Sequence, residues 1–378
     1  MGASQAHAQY RSRRCYAAHP PLRMIQVKDT GDAASDHADP PSIEVRMQLV
    51  YPAGNLPALQ AAIDNGADAV YAGFQDQTNA RAFPGLNFTD AELQAGVAFA
   101  HLRGAKVYLA LNTYPDSVRL AQWHEAVERA AELGCDAIIA AEMAVLDYAA
   151  RSHPTLARHL SVQGSATTEP ALRYAFERFG ISRAVLPRVL SIQQVERLCE
   201  RSPVPLEVFA FGSLCIMVEG RCQLSSYVTG ASPNRHGVCS PAKFVRWHEH
   251  DDGSRTVRLN DVLIDRFEPA EPAGYPTVCK GRFDVGGEVF HALEEPTSLN
   301  TLELLPRLAT AGVAALKIEG RQRGVAYVGS VARTWRAALD RYRADPGSWS
   351  PDARWQKALS AHAEGHQTTL GPYHRAWH

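Results

Sequence analysis

Four of the seven cysteines lie in one stretch of the chain, between Glu207 and Cys279. These four are Cys215, Cys222, Cys239 and Cys279, and their spacing is C-x6-C-x16-C-x39-C. A strand-like run, LEVFAF, leads into the first of them, and the residues that follow are rich in Gly, Ser, Pro and Asn. Such sequences form irregular backbone. Irregular backbone can direct several thiols toward one point, as a metal or iron–sulfur site requires.

Other roles for these cysteines stay open on spacing alone. Cysteine is often a small buried hydrophobe, which is also the expectation for Cys135 and Cys199. Disulfides are disfavoured because the chain shows no secretory segment and is far larger than a small disulfide-stapled domain. Zinc sites usually contain at least one closely spaced cysteine pair, C-x2–4-C, which is absent here. Four clustered thiols in a reducing compartment favour ligands, but their spacing does not choose the metal.

Composition narrows the class of protein. The 378 residues are 46% hydrophobic and 21% charged, as in a globular domain, and no run is long and apolar enough to be a transmembrane segment. The net charge of −1 offers no general attraction for nucleic acid or anionic membrane. We therefore expect a cytoplasmic protein of one or two domains that does not bind long nucleic acid.

The first 46 residues differ from the rest of the chain. Four arginines, Arg11, Arg13, Arg14 and Arg23, precede the first acidic residue, Asp29. The segment also lacks apolar periodicity, which predicts a disordered N-terminal extension. An Arg-rich start is typical of an organellar transit peptide. Met47, immediately before the first predicted strand, is the favoured alternative as the natural start. We expect a barrel over residues 47–345, with the cysteine segment at 207–282, and a C-terminal tail, 346–378, that packs on it.

From Met47 onward, short apolar runs alternate with helical patterns. This alternation predicts a (β/α)8 TIM-like barrel with a long cysteine-bearing insertion between strands seven and eight. A doubly wound open sheet is the alternative, and the absence of glycine-rich nucleotide-binding motifs weakens it. The predicted strands are Gln48–Ala53, Asp68–Phe74, Lys106–Leu111, Asp136–Ala141, Leu160–Gln163, Arg183–Pro187, Leu206–Phe211 and Ala314–Ile318.

Polar residues follow several of these predicted strands. In a TIM barrel the C-terminal ends of the strands carry the active site, so these side chains would form a ring around one mouth. Taken one at a time, each is better explained as a helix cap or a surface ion pair. Basic members of the ring could hold a carboxylate. The set is Asn112, Glu142, Gln163, Ser165, Arg188, Lys317, Glu319 and Arg321.

The segment around the first two cysteines resembles peptidase family U32, the collagenase-like proteins. The matching residues are Glu207, Phe209, Gly212, Ser213, Leu214, Cys215, Gly220, Cys222, Leu224 and Ser225. The resemblance implies a 4Fe–4S cluster, and the positions that match its ligands are Cys215, Cys222, Cys239 and Cys279. A cluster with four cysteine ligands is coordinatively complete, which favours electron transfer or a structural role.

Further segments, among them PAGNLPALQAAIDNGADAVYAG, SVQGSAT, GYPTVCKGR and KIEGRQR, are similar to the branch of this family that serves oxygen-independent ubiquinone biosynthesis. That resemblance implies a heterodimer with a second cluster-bearing member, UbiV, and hydroxylation of a polyprenylated quinone precursor. It also implies prephenate as oxygen donor and a lipid-carrier accessory protein as a further partner. Arg188, Lys317 and Arg321 are the candidates for binding the carboxylates.

Three rival functions stay open. The family name suggests a peptidase, but the chain contains neither H-E-x-x-H nor G-x-S-x-G and no evident cysteine–histidine pair. Relatives with a similar barrel hydroxylate transfer RNA, and the near-neutral charge and lack of an added RNA-binding module disfavour this role. The third is a structural subunit whose cluster shapes an interface. A radical S-adenosylmethionine mechanism is not supported, because C-x3-C-x2-C is absent.

Overall fold

The computed structural model describes residues 47–82, 85–217, 222–233 and 238–374. The predicted N-terminal extension, residues 1–46, lies outside these ranges. Strands and helices alternate along the first half of the described chain, as the sequence predicts.

The strands have the following bounds. They are β1 Gln48–Pro52, β2 Ala69–Ala72, β3 Lys106–Leu111, β4 Ala137–Ala140, β5 Ala157–Leu160, β6 Arg183–Val185, β7 Leu206–Ser213, β8 Val245–Glu249, β9 Arg255–Leu259, β10 Val262–Phe267, β11 Phe283–Val285, β12 Glu288–Phe290, β13 Ser298–Asn300, β14 Ala315–Ile318 and β15 Thr368–Thr369.

The helices have the following bounds. They are α1 Leu56–Asp64, α2 Asp90–His101, α3 Leu120–Glu132, α4 Met143–Ser152, α5 Glu169–Phe179, α6 Ile192–Arg201, α7 Gln223–Thr229, α8 Leu305–Thr310, α9 Val325–Ala344 and α10 Ala353–His362.

Eight strands close into a parallel barrel. Strands β1 to β7 pair in chain order, and β14 pairs in parallel with both β7 and β1, so the sheet has no free edge between them. Most residues of these strands are buried, which explains why their sequences are continuously apolar rather than alternating. The predicted (β/α)8 architecture is confirmed.

Local sequence signals account for several of the helices. Thr89 and Glu92 form a reciprocal capping box at the start of α2, with the Thr89 backbone N–H 2.9 Å from Glu92 Oε2. Along α9, an apolar stripe that includes Val328, Trp335 and Leu339 is buried. The stripe packs the last long helix onto the barrel core.

The fifth strand lies earlier than predicted. The apolar pattern of LSVQ predicts a strand at Leu160–Gln163, but the strand is Ala157–Leu160, and a 3-10 turn follows at Val162–Gly164. The Ser161 side chain accepts a hydrogen bond from the Gln163 backbone N–H and begins that turn. The true strand contains Arg158, whose guanidinium is buried and bonds the carbonyl oxygens of Phe179 and Leu156. Because the strand contains the polar residues Arg158 and His159, it does not appear in the sequence as an apolar run.

The insertion between β7 and β14 contains regular structure of its own. Strands β8, β9 and β10 form an antiparallel sheet over a small core made by Val257, Leu259, Ile264 and Phe267. Strands β11 and β12 form a hairpin. Strand β13 runs antiparallel to the end of β7, and β15 pairs in parallel with β13. The insertion is thus joined to the barrel through the strand that precedes the first clustered cysteine.

The C-terminal segment contributes to the core of the described chain. Leu359 on α10 is fully buried, and Tyr373 is buried with its hydroxyl donating to the Phe209 carbonyl oxygen at 3.2 Å. The domain limits given above stay a prediction. Among the described residues, no helix is both long and apolar enough to cross a membrane.

Candidate functional site

A cavity of about 110 Å³ lies at the C-terminal ends of the barrel strands. Its wall brings together residues from seven strand ends and from the insertion. Its apolar wall includes Ala110, Ile139, Val185 and Phe209. Its polar wall includes Arg81, Asn112, Gln163, Arg188, Lys317, Glu319, Arg321 and the cysteines Cys215, Cys222 and Cys239. Six of the eight predicted polar residues and three of the four clustered cysteines therefore share one cavity.

Each of the four cysteines lies on its own irregular segment. Cys215 is the second residue after β7, and Cys222 is the N-cap of α7, where its sulfur accepts from the Ser225 backbone N–H at 3.4 Å. The hydroxyl of Ser225 also donates to the Cys239 carbonyl oxygen, so one serine contacts two of the cysteines. Cys279 lies in a 3-10 turn, Val278–Lys280.

The thiols influence one another. Burial raises the pKa of the Cys239 thiol to about 11, against a lowering effect of Arg81, and the other three clustered thiols raise it further. Burial also raises the pKa of the Cys279 thiol, and Cys215 adds to that shift. Three of these thiols line the cavity, and Ser225 contacts both Cys222 and Cys239. Thiols held together in this way are neutral unless a cation compensates the charge of their thiolates.

The cysteines suit a cluster better than a single metal ion. Within the ranges that the structure covers, no three His, Cys, Asp or Glu side chains are placed to hold one metal ion. A 4Fe–4S cluster is larger than a single ion and is held by four thiolates. Four thiols on four separate segments fit that group in chemistry. Three of them line the cavity, and the ligand assignment stays a prediction.

Below the cavity, the barrel interior contains a buried ion-pair network. Glu207 is fully buried; its Oε1 lies 2.8 Å from Lys317 Nζ and its Oε2 lies 3.1 Å from Arg183 Nη1. The Lys317 ammonium also lies 3.8 Å from the ring centre of Tyr71. Arg183 continues the network to the side-chain oxygen of Gln48 at 2.7 Å. The network joins strands β1, β6, β7 and β14.

The network sets the charge states of its members. Burial alone would raise the pKa of Glu207, but the charges of Lys317 and Arg183 outweigh it and lower the pKa to about 2. Burial lowers the pKa of Lys317, and Glu207 opposes that shift. Because Glu207 already compensates the positive charge of Lys317, this lysine attracts an anionic ligand less strongly than the sequence alone predicted.

The two arginine candidates differ in their surroundings. The Arg188 guanidinium lies 4.5 Å from the Phe209 ring centre and donates to the Ser213 carbonyl oxygen. Arg321 is 4% exposed, and its Nη1 has no hydrogen-bond partner in the part of the chain that the structure describes. Burial lowers the pKa of Arg321 to about 10, so it remains protonated at neutral pH. A buried guanidinium with an unpaired N–H is suited to an anionic ligand.

The remaining strand-end residues divide into two groups. Asn112 and Gln163 line the cavity, with Asn112 Oδ1 accepting from the Ala80 backbone N–H at 3.0 Å. Glu142 instead caps α4 through the Val145 N–H at 3.0 Å, and Ser165 ends a turn with φ 51°. These two take the structural roles that were the favoured explanation for each residue singly.

Four residues of this site were not predicted from the sequence. Arg81, which lies 3.8 Å from Glu319, follows no predicted strand and gave no signal. Tyr71 was hidden in an apolar strand. Glu207 and Arg183 did leave a signal, since a lone charge inside a buried strand requires a partner of opposite charge on a neighbouring strand.

The fold and the site define a class: a (β/α)8 barrel protein with clustered cysteines and basic side chains at the mouth. The chain belongs to peptidase family U32, because the model of that family matches residues 54–375. This span contains the whole cysteine segment.

Curated relatives have several activities in their names. The chain is 29% identical to "tRNA hydroxylation protein P1" of Bacillus subtilis over 84% of its own length and 68% of the relative's. It is 30% identical to "tRNA hydroxylation protein P" of Escherichia coli over 78% of its length and 68% of the relative's. It is 29% identical to "Collagenase" of Porphyromonas gingivalis, with coverage of 83% and 70%. A solved U32 peptidase structure is 15% identical, covering 51% of this chain and 74% of its own, with a TM-score of 0.37.

Proposed function

We propose that this chain is a UbiU-type iron–sulfur subunit. It pairs with a UbiV-like protein to hydroxylate a polyprenylated ubiquinone precursor without O2, with prephenate as the oxygen donor. The observation that carries the proposal is the shared cavity, in which Cys215, Cys222 and Cys239 lie with basic residues at a barrel mouth. Relatives named as hydroxylation proteins support the reaction type.

The chain's own residues have distinct roles in this proposal. The four clustered cysteines hold a 4Fe–4S cluster, which supplies electron transfer when bound. Arg321 and Arg188 bind the carboxylates of the oxygen donor, since guanidinium groups match carboxylate geometry. Phe209 and Val185 provide an apolar wall against which a hydrocarbon ring packs. Hydroxylation oxidises the ring by two electrons, so the oxygen donor must leave reduced by two electrons.

The polyprenyl tail requires an apolar path outside this cavity. A chain of many isoprene units cannot enter a cavity of about 110 Å³. The tail is therefore held by the UbiV-like partner or by a lipid-carrier accessory protein, and only the aromatic head group approaches the barrel mouth.

Hydroxylation of transfer RNA is the second candidate, and the names of the relatives favour it. A nucleobase can be turned out of its stack to enter a small pocket. Against it, the net charge of −1 gives no general attraction for the phosphate backbone. Peptidase activity is the least favoured alternative, because the sequence lacks a recognised proteolytic motif.

A deletion strain grown without oxygen separates these functions. Loss of ubiquinone with normal transfer RNA, both measured by mass spectrometry, supports the proposal. Normal ubiquinone with loss of hydroxyuridine from transfer RNA overturns it in favour of the second candidate.

Affinity purification of the tagged chain under the same conditions is expected to bring down a UbiV-like protein. A gelatin assay on the purified pair is expected to show no cleavage.

A further inference from the structure

We propose that Glu364 is a positioning residue that sets the placement of two clustered cysteines, Cys215 and Cys279. The two oxygens of its carboxylate contact different segments, one that carries Cys215 and one that carries Cys279. These two cysteines are 64 residues apart in the sequence. As far as the cysteines hold a cluster, this role rests on the proposed function. The contacts themselves belong to this chain whatever the cysteines bind.

The first contact is with Ser213, the last residue of β7. The Ser213 hydroxyl donates to Glu364 Oε1 at 2.6 Å, and Cys215 follows two residues later. The backbone of Ser213 is bonded on both sides, since its N–H donates to Glu319 at 3.3 Å and its carbonyl oxygen accepts from Arg188. These bonds fix the position of Ser213, where the loop that carries Cys215 begins.

The second contact is with Lys280, the residue directly after Cys279. The Lys280 ammonium pairs with Glu364 Oε2, and the side chains are only 11% and 23% exposed. Water screens such a pair less than an exposed one, so the charge-assisted bond is stronger than a surface ion pair. The turn that carries Cys279 is thereby tied to the same carboxylate as Ser213.

The backbone of Glu364 is itself held in place. Its N–H donates to the Ser298 hydroxyl at 2.9 Å, next to β7 on strand β13. The next residue, Gly365, has a φ of 58°, and a Cβ there would lie 2.4 Å from the Pro296 carbonyl oxygen. Only glycine fits this turn, so the C-terminal segment presents the carboxylate from a defined position.

Thiol alkylation of the protein without cluster tests the coupling directly. Iodoacetamide labelling is followed at each cysteine by peptide mass spectrometry for four variants and the wild type. In Glu364→Gln, the alkylation rates of both Cys215 and Cys279 are expected to rise about tenfold. This factor corresponds to the loss of one hydrogen bond to a charged group. Ser213→Ala should accelerate Cys215 alone. Lys280→Met should alter the labelling of Cys279 and leave Cys215 unchanged, since it frees the turn but also removes a cation that lowers the pKa of the Cys279 thiol. Glu303→Gln, which removes an exposed acid 3.6 Å from His374, is the matched control and should change neither.

Buried Cys135 reports on general loosening of the fold, because its thiol lies in the barrel core. Faster labelling of Cys135 together with all clustered cysteines in Glu364→Gln would overturn the proposal, as would unchanged labelling of Cys215 and Cys279. A selective effect on those two supports it.

The same variants, loaded anaerobically with iron and sulfide, connect the coupling to the cluster. If the wild type retains iron, Glu364→Gln should lose it faster to a chelator, and its reduction potential should rise because a nearby negative charge is gone. If the wild type holds no iron, the proposed function fails, while the labelling pattern still decides the role of Glu364.

Discussion

Lys317 Nζ and Glu207 Oε1 lie 2.8 Å apart inside the barrel, where neither residue is more than 5% exposed. They sit on adjacent strands, β14 and β7, whose pairing closes the barrel. Arg183 on β6 contacts the other oxygen of the same carboxylate. One carboxylate thus compensates two cations directly beneath the cavity, and the charge of the cavity floor depends on it.

Replacing Glu207 by glutamine should therefore destabilise the fold strongly. Removing one member of a buried ion pair costs about 3–5 kcal/mol, because the charge left behind has no partner. Here two cations, Lys317 and Arg183, would lose their counter-charge at once. Urea unfolding at neutral pH measures the loss.

The double variant Glu207→Gln, Lys317→Met is the control for that loss. It removes one cation together with the carboxylate, so it should recover part of the lost stability. A single variant as stable as the wild type, or a double variant less stable than the single one, would mean that the pair is not what holds β7 and β14 together.

A second prediction concerns mild acid. His159 is 5% exposed, it packs on the Tyr108 ring at 4.6 Å, and burial chiefly lowers its pKa from 6.5 to about 3. The folded protein therefore keeps this imidazole neutral where the unfolded chain takes up a proton. Stability should fall by about 1.4 kcal/mol per pH unit below 6.5, and the loss should continue toward pH 3.

His159→Phe keeps a ring against Tyr108 and removes the titration. Among the residues with described positions, none bonds His159 Nδ1, so the change leaves no partner of that atom behind. Urea unfolding between pH 6.5 and 5 should lose this slope in the variant but keep it in His374→Gln, an exposed control. Glu207 does not interfere, because its contribution is lost only as the pH falls from 4.5 through about 2. An equal slope in both variants would contradict the assignment.

The sequence was sufficient to predict the barrel because its strands are buried on both faces and read as apolar runs. The prediction was wrong in detail at β5, where Arg158 and His159 occupy the strand itself. These polar residues are stabilised by contacts with distant parts of the chain, as in the bond from Arg158 to the Phe179 carbonyl oxygen. A local pattern contains no trace of such contacts.

The site was predictable only in part, for the same reason. Strand-end position brought Arg188, Lys317 and Arg321 to one cavity, as expected for a barrel mouth. Position could not reveal that Glu207 compensates Lys317, nor that Glu364, 149 residues after Cys215, reaches the cysteine segments. Pairings over such separations depend on the closed fold.

A third prediction concerns the cysteines. Protein purified anaerobically with its partner should contain about four irons and matching sulfide per chain, with broad absorbance in the blue region. Alanine at any one of the four clustered cysteines should remove most of the iron. Cys199→Ala on α6 is the matched control and should retain it. Colourless wild-type protein with one zinc would keep the cysteines as ligands and remove the redox role.

The last prediction concerns the anion. Arg321→Met should weaken binding of prephenate about tenfold or more, measured by anaerobic titration calorimetry, because a charge-assisted bond in a buried site is lost. Arg354→Met removes an exposed arginine that pairs with Asp352 at 2.7 Å, and it should leave the affinity unchanged. The wild-type affinity should hold from pH 7 to 9, since the pKa of Arg321 is about 10 even when buried.

The comparison with Arg188→Met tells which arginine dominates. Arg188 already donates to the Ser213 carbonyl oxygen, whereas Arg321 keeps an N–H without a partner among the described residues. A ligand therefore gains more from Arg321, and its replacement should cost more affinity than that of Arg188. If Arg188→Met abolishes binding while Arg321→Met binds normally, the anion lies on the insertion side of the cavity, and Arg321 serves the barrel wall beside Tyr71 instead.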